Sequence, residues 1–186
     1  MVHLRPLTVA DVSPAYLEWL CDPEVNRHLE VRFSIPSFAE LKDYVRGFNL
    51  ETRFLFGIFA NEQREPLHIG NFSIEINPYH RTASFGYLIG DKRYWGTPAA
   101  TEAIVLFLSF AFEVHHLRKV WGGAYDSNFG SVFNFHRFGF NREGVLREQN
   151  IDGDEPVDAL IFGLLREEWV KKRVDFENVR VELHIP

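Results

Sequence analysis

The chain has 186 residues, 46% of them hydrophobic and 25% charged, with 18 phenylalanines and a formal net charge of −6; this describes one soluble domain with a large aromatic core, not a disordered chain. The absence of any Lys/Arg run or stripe argues against a nucleic-acid partner, and the single cysteine excludes an internal disulfide and a cysteine-based zinc site. The opening MVHLRPLTVADV lacks the long apolar region of a secretory leader, and the longest apolar run, 103–112, is too short for a bilayer, so a cytoplasmic protein without a membrane partner is expected.

In chain order, residues 2–7 alternate and predict a short strand. Thr8 with Asp11 predicts a helix start, with helix running to Cys21 and stopped by Asp22-Pro23. A short helical turn or loop follows over 25–32. Ser37-x-x-Glu40 is a capping box for a helix ending at Gly47. Strands are predicted over 53–60, 68–76 and 83–90, with a hairpin at 77–82. A helix runs from Pro98 to about Glu113, then a strand over 119–125 and a helix over 129–138 ended by Gly139. Strands at 143–151 and 157–165, joined by a turn at 152–156, precede a short charged helix at 166–173. The tail, 179–185, alternates again and could add a strand to the edge of a second copy, so a homodimer through the tail is one expectation. Three consecutive strands followed by strand-helix units predict a mixed, mostly antiparallel central sheet with helices on both faces, an α+β fold. The domain is expected over 1–173, with 174–186 as a tail.

The stretch RYWGTPAATEAI places a strand end, a glycine turn and a long apolar helix in succession. Orphan N–H groups and the helix dipole attract phosphate to such a helix start, and Lys92 and Arg93 stand beside it. The plainer alternative is an ordinary helix start, with Thr97 as N-cap and Pro98 as the first helical residue. Pro98 removes one donor from the cradle, leaving the N–H groups of Gly96, Thr97, Ala99 and Ala100. A hydrogen bond to a charged partner is worth about 1.5–3 kcal/mol, so the expectation is a weakened but usable anion site.

Further on, AYDSNFGSVFNFHRFGF places a strand end, Asn128, Ser131, an apolar helix and Gly-Phe in order. Together the two stretches resemble the GNAT superfamily of acyl-CoA N-acyltransferases. Arg93 and Gly96 match that superfamily's Arg/Gln-x-x-Gly-x-Gly/Ala loop, and Pro98 departs from it. Asn128 and Ser131 match the Asn-x-x-Ser of the RimJ/RimL-like branch, which acetylates ribosomal-protein N-termini. WLCDPEVNRHLEVRF, HRTASFGYLIGDKRYWG and GLLREEW also look like that branch, and the likeness covers residues 3–173.

The resemblance implies a sheet splayed between strands 83–90 and 119–125, with acyl-CoA lying in the V. It puts acetyl-CoA, or another acyl-CoA, on Leu88, Ile89, Lys92, Arg93, Tyr94, Trp95, Gly96, Thr97, Ala99, Ala100, Asn128 and Ser131, with no metal. Gly122, Gly123 and Ala124 would leave room for the ligand against the backbone; close packing is the alternative. The reaction implied is direct attack of a primary amine on the thioester in a ternary complex, the acceptor being an amino sugar or a protein N-terminus.

That reaction needs a base for the ammonium proton and an O–H for the leaving thiolate. Many relatives supply the O–H from a tyrosine where this chain has Phe135, so Ser131 is the candidate donor. The branch's glutamate position holds Asn150 here. Candidate bases are His80, in the hairpin before the cleft strand; Glu148, two residues before Asn150 and on its face if that strand is regular; and Glu75, which shares a strand face with Asn71 and Ser73. That polar face lies toward solvent or an acceptor cleft, with solvent the default. Glu30 and Arg32 would fall on the helix pair covering the acceptor, either contacting it or forming a solvated ion pair. The rival reading is a catalytically silent relative that binds CoA or a protein partner, supported by Pro98, Phe135 and Asn150.

Overall fold

The computed structural model describes residues 1–61 and 65–180. Strands β1 (Val2–Pro6), β2 (Arg53–Ala60), β3 (Leu67–Asn77), β4 (Thr82–Ile89), β5 (Lys119–Tyr125), β6 (Asn141–Asp152) and β7 (Glu155–Leu165) form one sheet in the order β1-β2-β3-β4-β5-β7-β6. Every neighbouring pair is antiparallel except β4 and β5, which run parallel. The expected mixed, mostly antiparallel sheet is therefore present. Among the described residues no helix is long and apolar enough to cross a membrane.

Helices cover both faces because the central strands are apolar on both. Along β2, Phe54, Phe56, Ile58 and Ala60 face one core, while Leu55 and Phe59 face the other. A strand buried on both faces reads as a continuous apolar run, as RFLFGIFA does. The larger core is closed by α4 (Pro98–Ser109), α5 (Phe129–Arg137) and α6 (Arg166–Lys172), and is rich in stacked and edge-on aromatics. Each large apolar side chain buried there contributes about 1.5–3 kcal/mol. The smaller core holds α1 (Pro14–Cys21) and α3 (Phe38–Arg46), with the one-turn α2 (Pro23–Asn26) between them in sequence.

Local chemistry explains where the elements start and stop, and where expectation failed. Asp11 accepts hydrogen bonds from the Thr8 N–H at 2.8 Å and hydroxyl at 2.7 Å, but this opens only a 3-10 turn, Val9–Asp11. The single helix expected from Thr8 to Cys21 is broken because Pro14 holds Ser13 in an extended conformation; Ser13 then caps α1 afresh. Asp22 ends α1 and caps α2. The Ser37/Glu40 box starts α3 as expected. Gly139, at φ +82°, ends α5 in the left-handed region that glycine tolerates.

Strand β6 is not regular. Leu146 pairs with Ala159 and Asn150 with Val157, so two extra residues bulge out opposite Asp158. Glu148 sits in that bulge at φ +51°, and the expected shared face with Asn150 is lost. The tail strand expected over 179–185, and the dimer built on it, fall mostly on residues 181–186, outside the described residues. Val179 itself packs against the larger core, its carbonyl accepting from Arg173 at 3.2 Å.

Candidate active site

Strands β4 and β5 pair only at Thr82–Lys119, Ala83–Val120 and Ser84–Trp121. Beyond these three pairs they diverge. Among the described residues, the edge of β4 facing β5 has no ladder partner from Phe85 to Ile89, and neither does the facing edge of Gly122 to Tyr125. Unpaired backbone groups inside a sheet require another partner. The apex is held open by packing. A Cβ on Gly122 would lie 3.1 Å from the Phe85 carbonyl oxygen and 3.2 Å from the Phe135 ring, so this glycine serves close packing, the alternative weighed for it. The Phe85 ring packs among Phe107, Phe135 and Phe140.

The loop after β4 leads to the mouth of this V. Thr97 caps α4, its Oγ1 accepting the Ala99 N–H at 3.3 Å, and Pro98 is the first helical residue. The Thr97 N–H is taken by the Tyr94 carbonyl at 3.3 Å. Of the four expected donors, the Gly96 and Ala100 N–H groups make no hydrogen bond among the described residues. Gly96, at φ +70°, has open space where a Cβ would stand. The flanking cations already have partners. Lys92 pairs with Asp22 at 2.7 Å and Glu24 at 2.9 Å, and Arg93 pairs with Asp91 at 2.6 Å. Trp95 donates to the Ile89 carbonyl at 2.8 Å, capping one end of the open β4 edge.

Across the V, Asn128 caps α5 by accepting the Ser131 N–H at 3.1 Å. One turn on, Asn134 donates to the Tyr87 hydroxyl at 2.7 Å, bridging α5 to β4. Burial pushes the Tyr87 hydroxyl above its ordinary pKa, and hydrogen bonds from Asn134 and Ser131 pull it partly back. Tyr87 was missed by the sequence reading, although it stands in the alternating row Phe85, Tyr87, Ile89 whose neighbours face the larger core. Asn134 was missed as well; its i+3 spacing from Ser131 was the available signal.

On the opposite face, a cavity of about 470 Å³ opens between α1, α3 and the sheet. Its walls are mainly apolar, from Leu20, Leu41, Leu55 and Leu88 among others. Asn71, Ser73 and Gly86 form its floor beside the V. The polar face of β3 thus points into a cavity at Asn71 and Ser73, where solvent was the default expectation. Only Glu75, at the far end, is exposed; it pairs with Arg53 at 3.4 Å.

Glu30 is the one charged side chain on the cavity wall among the described residues. It accepts a hydrogen bond from Tyr125 at 2.7 Å. Burial, then the Glu30 carboxylate, push the Tyr125 hydroxyl up to about 12, so it stays protonated and donates. Arg32 does not pair with Glu30; it donates to the carbonyls of Arg27 and Ile151. Arg27 clamps Asp152 with two hydrogen bonds of 3.1 Å, tying the cavity roof to the β6–β7 hairpin. His80 is exposed on the β3–β4 hairpin, at the closed end of the V, with its carbonyl held by Arg118 at 2.7 Å. Glu148 is exposed in the β6 bulge, its N–H bonded to Asp158 at 2.8 Å. Ser131, Asn128 and the loop are therefore gathered at the V; His80, Glu148 and Glu75 are not.

Residues 2–141 match the acetyltransferase (GNAT) domain family. Over 170 residues the chain is 24% identical to the N-acetyltransferase p20 of Bacillus licheniformis, itself uncharacterized, covering 89% of this chain and 93% of that one. It is 23% identical over 120 residues to the ribosomal protein uS5 alanine N-acetyltransferase of Escherichia coli, 64% of this chain and 61% of that one. In fold it is similar to the spermidine N-acetyltransferase of Vibrio cholerae solved with CoA and spermine, with a TM-score of 0.78, 22% identity and coverage of 91% and 98%.

Proposed function

This chain belongs to the GNAT family of N-acetyltransferases, and we propose that it transfers the acetyl group of acetyl-CoA to a primary amine by direct attack in a ternary complex. The observation that carries this reading is the V itself: two unpaired strand edges converge on an apex, with a helix start and free N–H groups at the mouth. That arrangement fits acetyl-CoA. The edges of β4 and β5 offer backbone donors and acceptors to an amide-bearing arm, and the Gly96 and Ala100 N–H groups with the α4 dipole offer a seat for diphosphate. Acetyl-CoA supplies a thioester: the amine nitrogen forms the N–C bond, the C–S bond breaks, the amine loses a proton and the thiolate gains one.

Tyr87 is assigned as the proton donor to the thiolate, with Asn134 holding its hydroxyl in place. Glu30 is assigned to receive the ammonium and take its proton, because among Glu30, Glu75, His80 and Glu148 it alone lies on the cavity wall. Glu75 borders the adjoining hollow and is the second choice. The relatives' names span a ribosomal-protein alanine and spermidine, so the acceptor follows from the cavity and not from kinship. Calorimetric titration with acetyl-CoA tests the reading. Saturable binding is expected, and its absence at millimolar ligand refutes it.

A further inference from the structure

The cavity walls define a ligand that differs from an amino sugar, a polyamine or a peptide end. Resting on the acetyltransferase reading above, we propose that the acceptor is a small primary amine carried on an apolar body. Two observations carry this. First, the cavity is about 470 Å³, within the range of sites that enclose small molecules, and its walls are built by leucines of α1, α3, β2 and β4. An amino sugar would leave most of its hydroxyls against apolar wall, each at a cost of about 1–3 kcal/mol.

Second, Glu30 is the one charged group on that wall among the described residues. One carboxylate complements one ammonium. A polyamine would bring further cations with no carboxylate to meet them.

The test compares tyramine and phenethylamine with glucosamine 6-phosphate, spermidine and a short peptide with an N-terminal alanine. Turnover is read by thiol release, and binding by calorimetry on the full chain. The two aryl amines are expected to exceed the other three in kcat/KM. Gly86→Val adds bulk in the floor, where a Cβ would meet only Ser73 Oγ at 3.4 Å; it is expected to raise KM for the aryl amines more than for methylamine. Preference for the sugar, the polyamine or the peptide overturns the proposal. So does absence of phenethylamine binding, whatever the turnover. Phenethylamine binding without turnover of any amine, and without acetyl-CoA binding, supports the cavity assignment and refutes the acetyltransferase reading instead.

Discussion

Replacing Tyr87 with Phe removes one oxygen and leaves the ring, which stacks on Phe72, in place. The lost oxygen accepts from Asn134 Nδ2 at 2.7 Å. Leaving that half-buried donor unpaired costs about 1–3 kcal/mol of stability, visible as a lower denaturation midpoint. The catalytic effect is separate. A positioned general acid contributes about 10²–10⁴-fold, so kcat for thiol release at saturating acetyl-CoA and amine should fall by about that factor, with the acetyl-CoA Kd little changed. Ser131→Ala is a graded companion. A hydrogen bond from Ser131 favours the phenolate and lowers the Tyr87 pKa; removing it raises that pKa and makes a weaker acid. One lost hydrogen bond of about 1 kcal/mol corresponds to about a fivefold loss in kcat, smaller than for Tyr87→Phe. An unchanged kcat in Tyr87→Phe refutes the assignment. A larger loss in Ser131→Ala than in Tyr87→Phe moves the donor role to Ser131.

Pro98→Ala restores the missing N–H at the first position of α4 without changing the cap on Thr97; the Kd for acetyl-CoA should fall by about tenfold or more, and an unchanged Kd by calorimetry means that N–H points away from the diphosphate. Gly122→Ala places a methyl group 3.1 Å from the Phe85 carbonyl, and overpacking of this kind costs about 1–3 kcal/mol, read as a drop in urea midpoint; no change would show that the apex of the V relaxes freely. Burial raises the Asp11 carboxyl pKa, but hydrogen bonds from Arg5 and Thr8 outweigh it and hold the group at about 2. Its stabilising effect is therefore complete above the unfolded value near about 4 and is lost as pH falls toward about 2, by about 1 kcal/mol once partial exposure is allowed for. In Arg5→Met the pH dependence of the unfolding free energy between those limits should flatten, and an identical slope in both proteins would remove this pair from the acid response.

Much of the architecture was legible because it depends on rules that act within a turn or two of chain. The strands over 53–60 and 119–125 were legible to the residue, and the Ser37/Glu40 box and Gly139 marked true helix ends. Where local signals compete, the reading failed: Thr8 and Asp11 form their cap, yet Pro14 breaks the helix they announce. The bulge around Glu148 leaves no trace in the hydrophobic pattern of its own strand, because it is defined by the partner residues it skips.

The sequence by itself determined much of the strand and helix inventory, the glycine turn at Gly96 ahead of α4 and the Asn128–Ser131 cap, since each is a contact between near neighbours in the chain. The tertiary structure decided the site. Tyr87 meets Asn134 across 47 residues, Glu30 meets Tyr125 across 95, and Lys92 is paired with Glu24 across 68. Burial of both faces of the sheet sets which strands lie side by side, and the aromatic packing at the apex sets where β4 and β5 part. No periodicity within a single segment encodes either choice, because both follow from volumes and partners supplied by segments far away in the chain.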